Sequence, residues 1–175
     1  MSSAFPGFSE SAPGFDEPFA MLAACHDRIE AQLRILERMG THLAARGADT
    51  EAIDAARHVQ RYFETAGPNH HADEECDLFP QLEAHDELIP LLQELRRDHL
   101  RMQELCTPLL LVLQTVATGR AEGWQPQLVA DFCTLYRSHM ACENTRLLPV
   151  AESLLAAADK SRLGNAMVAR RTQRA

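Results

Sequence analysis

Two short stretches of this chain follow one design. Reading from His70 gives His70, Glu74, Leu78, Phe79 and Pro80; reading from His139 gives His139, Glu143, Leu147, Leu148 and Pro149. Both spell H-x3-E-x3-L-[FL]-P, 69 residues apart. A second pair of segments repeats at an offset of 73, with His26, Ile29, Leu33 and Leu36 against His99, Met102, Cys106 and Leu109. Self-similarity of this kind points to two copies of one helix pair. A His and a Glu four residues apart lie on the same face of a helix, where imidazole and carboxylate can converge on one point.

The apolar period supports helices throughout. The first pattern starts near Asp16 as N-cap, with Pro18 in the first turn, and runs to about Ala45 before Gly47. Its seam is Phe19, Leu22, His26, Ile29, Leu33 and Leu36, stepping 3, 4, 3, 4, 3. The second opens near Thr50, is interrupted at Gly67-Pro68, where a bend or restart is expected, and resumes to about Ala84. The third runs from Asp86 to about Thr118 with the seam Leu92, Leu95, His99, Met102, Cys106 and Leu109, again in steps of 3 and 4. The fourth opens at Trp124 or Pro126, runs to about Ala158, and turns Val129, Phe132, Tyr136, His139, Glu143, Leu147 and Val150 inward. With 26 Ala and 23 Leu against 4 Ile and 6 Val, the composition also favours helix over sheet.

The expected fold is therefore all-α, an up-down-up-down antiparallel four-helix bundle with a short C-terminal helix. Residues 1–15 read as a flexible tail, 16–158 as the bundle, and 159–175 as a short helix and tail. Arg162 to Arg174 includes Arg170, Arg171 and Arg174 and reads as a solvated terminal helix.

Several classes fall away. With 25 acidic and 17 basic residues the formal charge is −8, the wrong sign for a nucleic-acid binder. Met1 to Phe15 contains no Lys or Arg and no apolar core, so it does not read as a secretory signal. No apolar run approaches the roughly 18–20 residues that span a bilayer, and Leu109 to Leu113 falls far short. Five cysteines, without a C-x-x-C pair, fit reduced thiols, and the expected location is cytoplasmic. No Ser-His-Asp arrangement, phosphate loop or dinucleotide fingerprint is visible, so any catalysis would depend on metal.

Four histidines and two glutamates on the inward seams are costly to bury unless something compensates them. A divalent cation does. Neutral imidazoles with carboxylates suit iron, zinc or manganese better than calcium or magnesium. The candidate metal ligands are His26, His70, Glu74, His99, His139 and Glu143. If both glutamates bridge, about eight donor atoms serve two ions that would take roughly twelve, which leaves exchangeable positions. His71 and Glu75 form a competing i, i+4 pair, but at the offset of 69 they fall on Met140 and Asn144, so a place in or near the shell stays open for them. His42, His58 and His85 read as surface groups or supports behind a ligand. Tyr136 reads as core, with a hydrogen bond near the metal as the alternative, and Cys106 as packing.

On these residues, together with Leu78-Phe79-Pro80 and Leu147-Leu148-Pro149, the chain resembles the hemerythrin-like HHE cation-binding family over roughly Asp16 to Ala158. The resemblance implies a bundle around two non-haem iron ions with oxo or hydroxo and carboxylate bridges. Glu74 and Glu143 would then be the bridging carboxylates, and the four histidines terminal ligands. Family members bind dioxygen, sense oxygen or redox state, handle nitric oxide, or act in iron storage and repair. The oxygen carriers have H-x3-H on the third helix and an Asp on the fourth; here His99 has Leu95 and Gln103 a turn away, and the fourth helix carries Glu143. The four-His, two-Glu set is similar to that of bacterial proteins that repair iron centres. The expected function is binding or sensing of dioxygen, peroxide or nitric oxide at an open coordination position. The alternatives are an iron-donating or peroxide-reducing stress protein, and a zinc- or mono-iron-stabilised regulatory bundle. A homodimer stays open.

Overall fold

The computed structural model describes residues 13–172, and over that range it is all-helical. The four long helices are α1 (Pro18–Arg46), α2 (Thr50–Ala72), α4 (Ile89–Ala117) and α5 (Pro126–Cys142). α2 leads through a π-helical turn (Asp73–Leu78) into α3 (Phe79–Leu82), and a 3-10 turn (Asp86–Leu88) opens α4. α5 leads through a second π-helical turn (Glu143–Leu147) into α6 (Leu148–Leu154), and α7 (Ala157–Thr172) follows. α1 packs on α2 and α5, and α4 packs on the same two helices, so the four enclose a common core. Among the described residues, no helix is long and apolar enough to cross a membrane.

The core divides into two apolar clusters. Ile29, Leu33, Phe63, Met102, Phe132 and Tyr136 belong to the first; Phe19, Leu22, Leu78, Phe79, Leu95 and Leu147 belong to the second. Each long seam crosses from one cluster to the other, and at the crossing it carries a histidine: His26 between Leu22 and Ile29, His99 between Leu95 and Met102. A polar layer thus lies between two greasy halves.

Several local features lie elsewhere than the sequence pattern predicts. α2 continues through Gly67-Pro68 without a break, because buried contacts at Phe63 on one side and His70 on the other outweigh the one backbone bond that Pro68 cannot make. The irregularity lies five residues later. The Phe79 N–H bonds the Glu74 carbonyl, and the Leu148 N–H bonds the Glu143 carbonyl, each reaching five residues back. Pro80 and Pro149 follow at the start of the next α-segment, where a missing N–H has least to lose. These wider turns shift the register of the fourth pattern, so Ala151 is buried while Val150 stays 38% exposed. At the first helix, Glu17 rather than Asp16 occupies the N-cap, and it makes no side-chain cap bond.

The C-terminal helix is docked rather than solvated. Leu163 and Met167 of α7 are fully buried in the second cluster. Arg170 binds Asp73 and Asp77, and Arg171 donates to both Asp73 oxygens at 2.7 and 3.2 Å. Asp73 is completely buried, so these guanidinium groups supply the charge that its burial requires. Phe15 also packs against this cluster, beneath the Arg171 guanidinium at 5.3 Å.

Gly164 sits where α7 meets the Phe15 backbone, and a Cβ there would run into the Phe15 carbonyl oxygen. Gly164→Ala should therefore cost about 1–3 kcal/mol by overpacking. That is a fall in melting temperature of roughly 2–12 °C for a chain of this size, read by thermal denaturation.

Arg137 of α5 clamps α1, donating to Glu30 at 2.9 and 3.1 Å and to Glu37 at 2.5 and 3.0 Å. These hydrogen bonds hold both carboxyls below their ordinary range. A carboxylate with a depressed folded-state pKa stabilises above its unfolded value and loses that contribution as pH falls through the folded one. In urea titrations of metal-free protein, Arg137→Ala should thus be less stable than wild type at pH 6, with the gap closing below about pH 4. A gap that holds constant into acid would contradict the clamp.

Candidate metal centre

The π-helical turns begin at the acidic residues of the repeat. In α2 and the turn after it, His70 and Glu74 lie one helical step apart with His70 Nε2 3.5 Å from Glu74 Oε1. In α5 and its turn, His139 Nε2 lies 3.2 Å from Glu143 Oε2. α1 contributes His26, whose Nε2 is 3.2 Å from Glu143 Oε2 and 4.0 Å from Glu74 Oε1. α4 contributes His99, with Nε2 3.5 Å from Glu74 Oε2 and 2.9 Å from His139 Nε2. All six side chains are buried, the two glutamates completely.

These residues form two overlapping donor groups. One contains His26, His70, Glu74 and Glu143; the other contains Glu74, His99, His139 and Glu143; within each, one ligand atom per residue lies within 4.8 Å of all the others. Both groups share the two carboxylates. The six residues picked out by spacing are thus brought to one place from four helices. Neither group contains a cysteine, and His42, His58 and His85 belong to neither. His42 pairs with Asp49 at 2.8 Å, His85 lies 3.8 Å from Glu87, and His58 is exposed.

Two outward nitrogens have partners that the sequence reading did not assign to them. His26 Nδ1 donates to the Asn144 amide oxygen at 2.7 Å, and His99 Nδ1 donates to Glu75 Oε1 at 2.7 Å. Neither His70 Nδ1 nor His139 Nδ1 has a hydrogen-bond partner, although the Asp98 carboxylate lies 3.6 Å from the latter. Donation from Nδ1 sets the tautomer and aims the Nε2 lone pair inward. Glu75 and Asn144 occupy equivalent positions in the repeat, so the offset of 69 already contained the signal. His71 stacks on the His99 ring, centroids 4.1 Å apart, outside both donor groups.

The electrostatics are those of a site made for positive charge. Both oxygens of Glu74, both of Glu143 and Nε2 of His26 are buried without a hydrogen-bond partner. Burial and the neighbouring Glu143 push the Glu74 carboxyl well above its ordinary range. Burial would raise Glu143 too, but His139 and His26 outweigh it and hold that carboxyl well below. Burial, reinforced by adjacent imidazoles, pushes His70 well down and His99 down to about 3, so both rings are neutral and available as ligands. Each stranded polar group would cost roughly 2–7 kcal/mol alone. The 2.9 Å between His99 and His139 Nε2 is also about the spacing of two neighbouring ligands on one ion with bonds near 2.1 Å. The residues fit metal.

A cavity of about 450 Å³ between α2 and α4 reaches this layer, lined by Gly67, Pro68, His71, His99 and Tyr136 among others. A larger groove of about 1040 Å³ runs along α1 and α2 past His42 and His58 and includes none of the six.

Fold and site together define a helical protein with a buried cation-binding centre. A family model described as the hemerythrin HHE cation binding domain matches residues 17–151, and the chain belongs to that family. It is also similar to an uncharacterized protein of Haemophilus influenzae, 28% identical over 158 residues, which cover 90% of this chain and 91% of that one.

His139→Ala and Glu74→Ala should each lower bound metal and reduce the melting-temperature gap between metal-loaded and chelator-treated protein. An ion held at a hundred times its dissociation constant contributes about 2.7 kcal/mol. His85→Ala should change neither metal analysis nor melting. Full loading of either ligand variant would mean that the register is wrong.

Proposed function

We propose that the chain holds two non-haem iron ions, with Glu74 and Glu143 shared between them, and binds or senses dioxygen, peroxide or nitric oxide there. The observation that carries this reading is the pair of donor groups with common carboxylates. His26 and His70 would serve one ion, His99 and His139 the other. An all-nitrogen and oxygen set without thiolate suits iron, and it supplies fewer donors than two six-coordinate ions take, leaving positions for an exogenous ligand. Bound iron supplies the electrons and the open position for a small oxidant or diatomic.

The chain's own residues control what surrounds that position. The cavity between α2 and α4 offers a way in for a small molecule, past His71 and Tyr136. Burial raises the Tyr136 hydroxyl, which stays protonated as a hydrogen-bond donor. Burial also pushes the Cys106 thiol on the cavity wall up to about 11, so it is no thiolate nucleophile at neutral pH. The same reading takes the four long helices as up-down-up-down. Its support is that α1 and α4 run from the second apolar cluster to the first, while α2 and α5 run the other way. Five free cysteines suit a reducing cytoplasm.

Anaerobic loading, metal analysis and optical spectra provide the test. Two irons per chain, with a charge-transfer band that appears on adding dioxygen or nitric oxide, are expected. One zinc per chain without a spectral response would overturn the proposal in favour of a structural role, and iron transfer to a cluster-free acceptor protein would turn it towards repair.

A further inference from the structure

The donor set is symmetric, but its backing is not. Under the repeat offsets, Glu75 corresponds to Asn144, and Asp98 to Cys25. His99 Nδ1 donates to the Glu75 carboxylate at 2.7 Å, and the Asp98 carboxylate lies 3.6 Å from His139 Nδ1, too far for a hydrogen bond but near enough to add negative charge. In the other half, His26 is backed by the neutral Asn144 amide at 2.7 Å, and His70 Nδ1 has no partner, Cys25 standing at the position equivalent to Asp98. Arg28 also lies on that side, 3.9 Å from the Cys25 sulfur. The other nearby arginines are paired with carboxylates, Arg170 and Arg171 with Asp73 and Asp77, and Arg96 on the opposite side with Glu83 at 2.7 Å.

A carboxylate behind a histidine makes the imidazole a stronger donor and adds negative charge near the ion; loss of such a partner typically weakens metal binding 10–100-fold. We infer that the two metal positions are unequal, the one between His99 and His139 being the tighter, and that Glu75, the positioning residue of His99, together with the nearby charge of Asp98, makes it so. This rests on the two-ion reading above.

Because the two ions share carboxylates, two binding steps would separate even in a symmetric site, so the test compares single-position proteins. His70→Ala leaves the His99/His139 position and His139→Ala leaves the His26/His70 position. Each is stripped by chelation and titrated with Co2+ under argon, followed by calorimetry and visible absorption, with circular dichroism to verify the helices. His70→Ala should bind its ion at least about tenfold more tightly than His139→Ala. Adding Glu75→Gln to His70→Ala should weaken binding about 10–100-fold and Asp98→Asn should weaken it by less, whereas adding either to His139→Ala should change it by less than about threefold. Asn144→Asp in the His139→Ala protein should tighten its binding, a gain that misfolding cannot produce.

Equal affinities in the two single-position proteins would overturn the inference, as would equal effects of Glu75→Gln in both. A wild-type protein that takes up one Co2+ or none would overturn the two-ion reading itself. Two ions with equal single-position affinities would sink only the inequality.

Discussion

Everything in this fold is arranged around a buried layer that apolar packing cannot stabilise. Glu74 and Glu143 are completely buried with all four carboxylate oxygens unpartnered by hydrogen bonds, and four imidazole Nε2 atoms crowd in on them. Coulomb repulsion between the carboxylates and the cost of desolvating both would expand or flood an ordinary core. A cation reverses the sign of the problem, because the same low dielectric that penalises stranded charge strengthens its attraction to metal. The apolar clusters on either side then become the walls of the site. They exclude water and fix the helices from which these side chains project, so the energy of the folded bundle and that of any metal bound there would be linked.

The two glutamates of the layer come from two helices, and the backbone presents both with the same local device. A π-helical turn starts within a residue of each glutamate and ends just before a proline-led α-segment. The proline makes a regular α-bond impossible there, and the wider turn accommodates the loss. The first such turn is further held from outside, since the fully buried Asp73 at its start is gripped by Arg170 and Arg171 of α7. A terminal helix therefore braces a ligand-bearing turn instead of hanging in solvent.

How much of this was legible in the sequence depends on the distance over which each signal acts. Helices and ligand candidates were readable because they rest on i, i+3 and i, i+4 spacing and on a repeat within one chain. His26, His70, Glu74, His99, His139 and Glu143 converge as the spacing suggested. The π-helical turns were not readable as such: Pro80 and Pro149 were visible, but how a helix absorbs a proline depends on the packing around it. The role of α7 was hidden for a different reason. Arg170 and Arg171 have the same sequence pattern whether solvated or gripping a buried Asp73, and only the register between remote segments decides. Glu75, Asp98 and Asn144 lie off the apolar seams, and their role depends on the neighbouring helix. The Haemophilus influenzae relative, being uncharacterized, adds no residue roles.

The duplication also bears on the cavity beside the buried layer. That cavity, between α2 and α4, is lined by Phe63, Gly67, Pro68, His71, Glu75, His99 and Tyr136 among others. The repeat equivalents of the first six are Phe132, Tyr136, Arg137, Met140, Asn144 and His26. Gly67 and Pro68 stand where the other half has Tyr136 and Arg137; Arg137 reaches across to Glu30 and Glu37 of α1, whereas Tyr136 lines the same cavity as Gly67 and Pro68. Gly67-Pro68, which the sequence pattern marks as a helix break, makes better sense as the removal of side chains that leaves room beside Tyr136. The space so made reaches His99, where the carboxylate of Glu75 lies behind the ring.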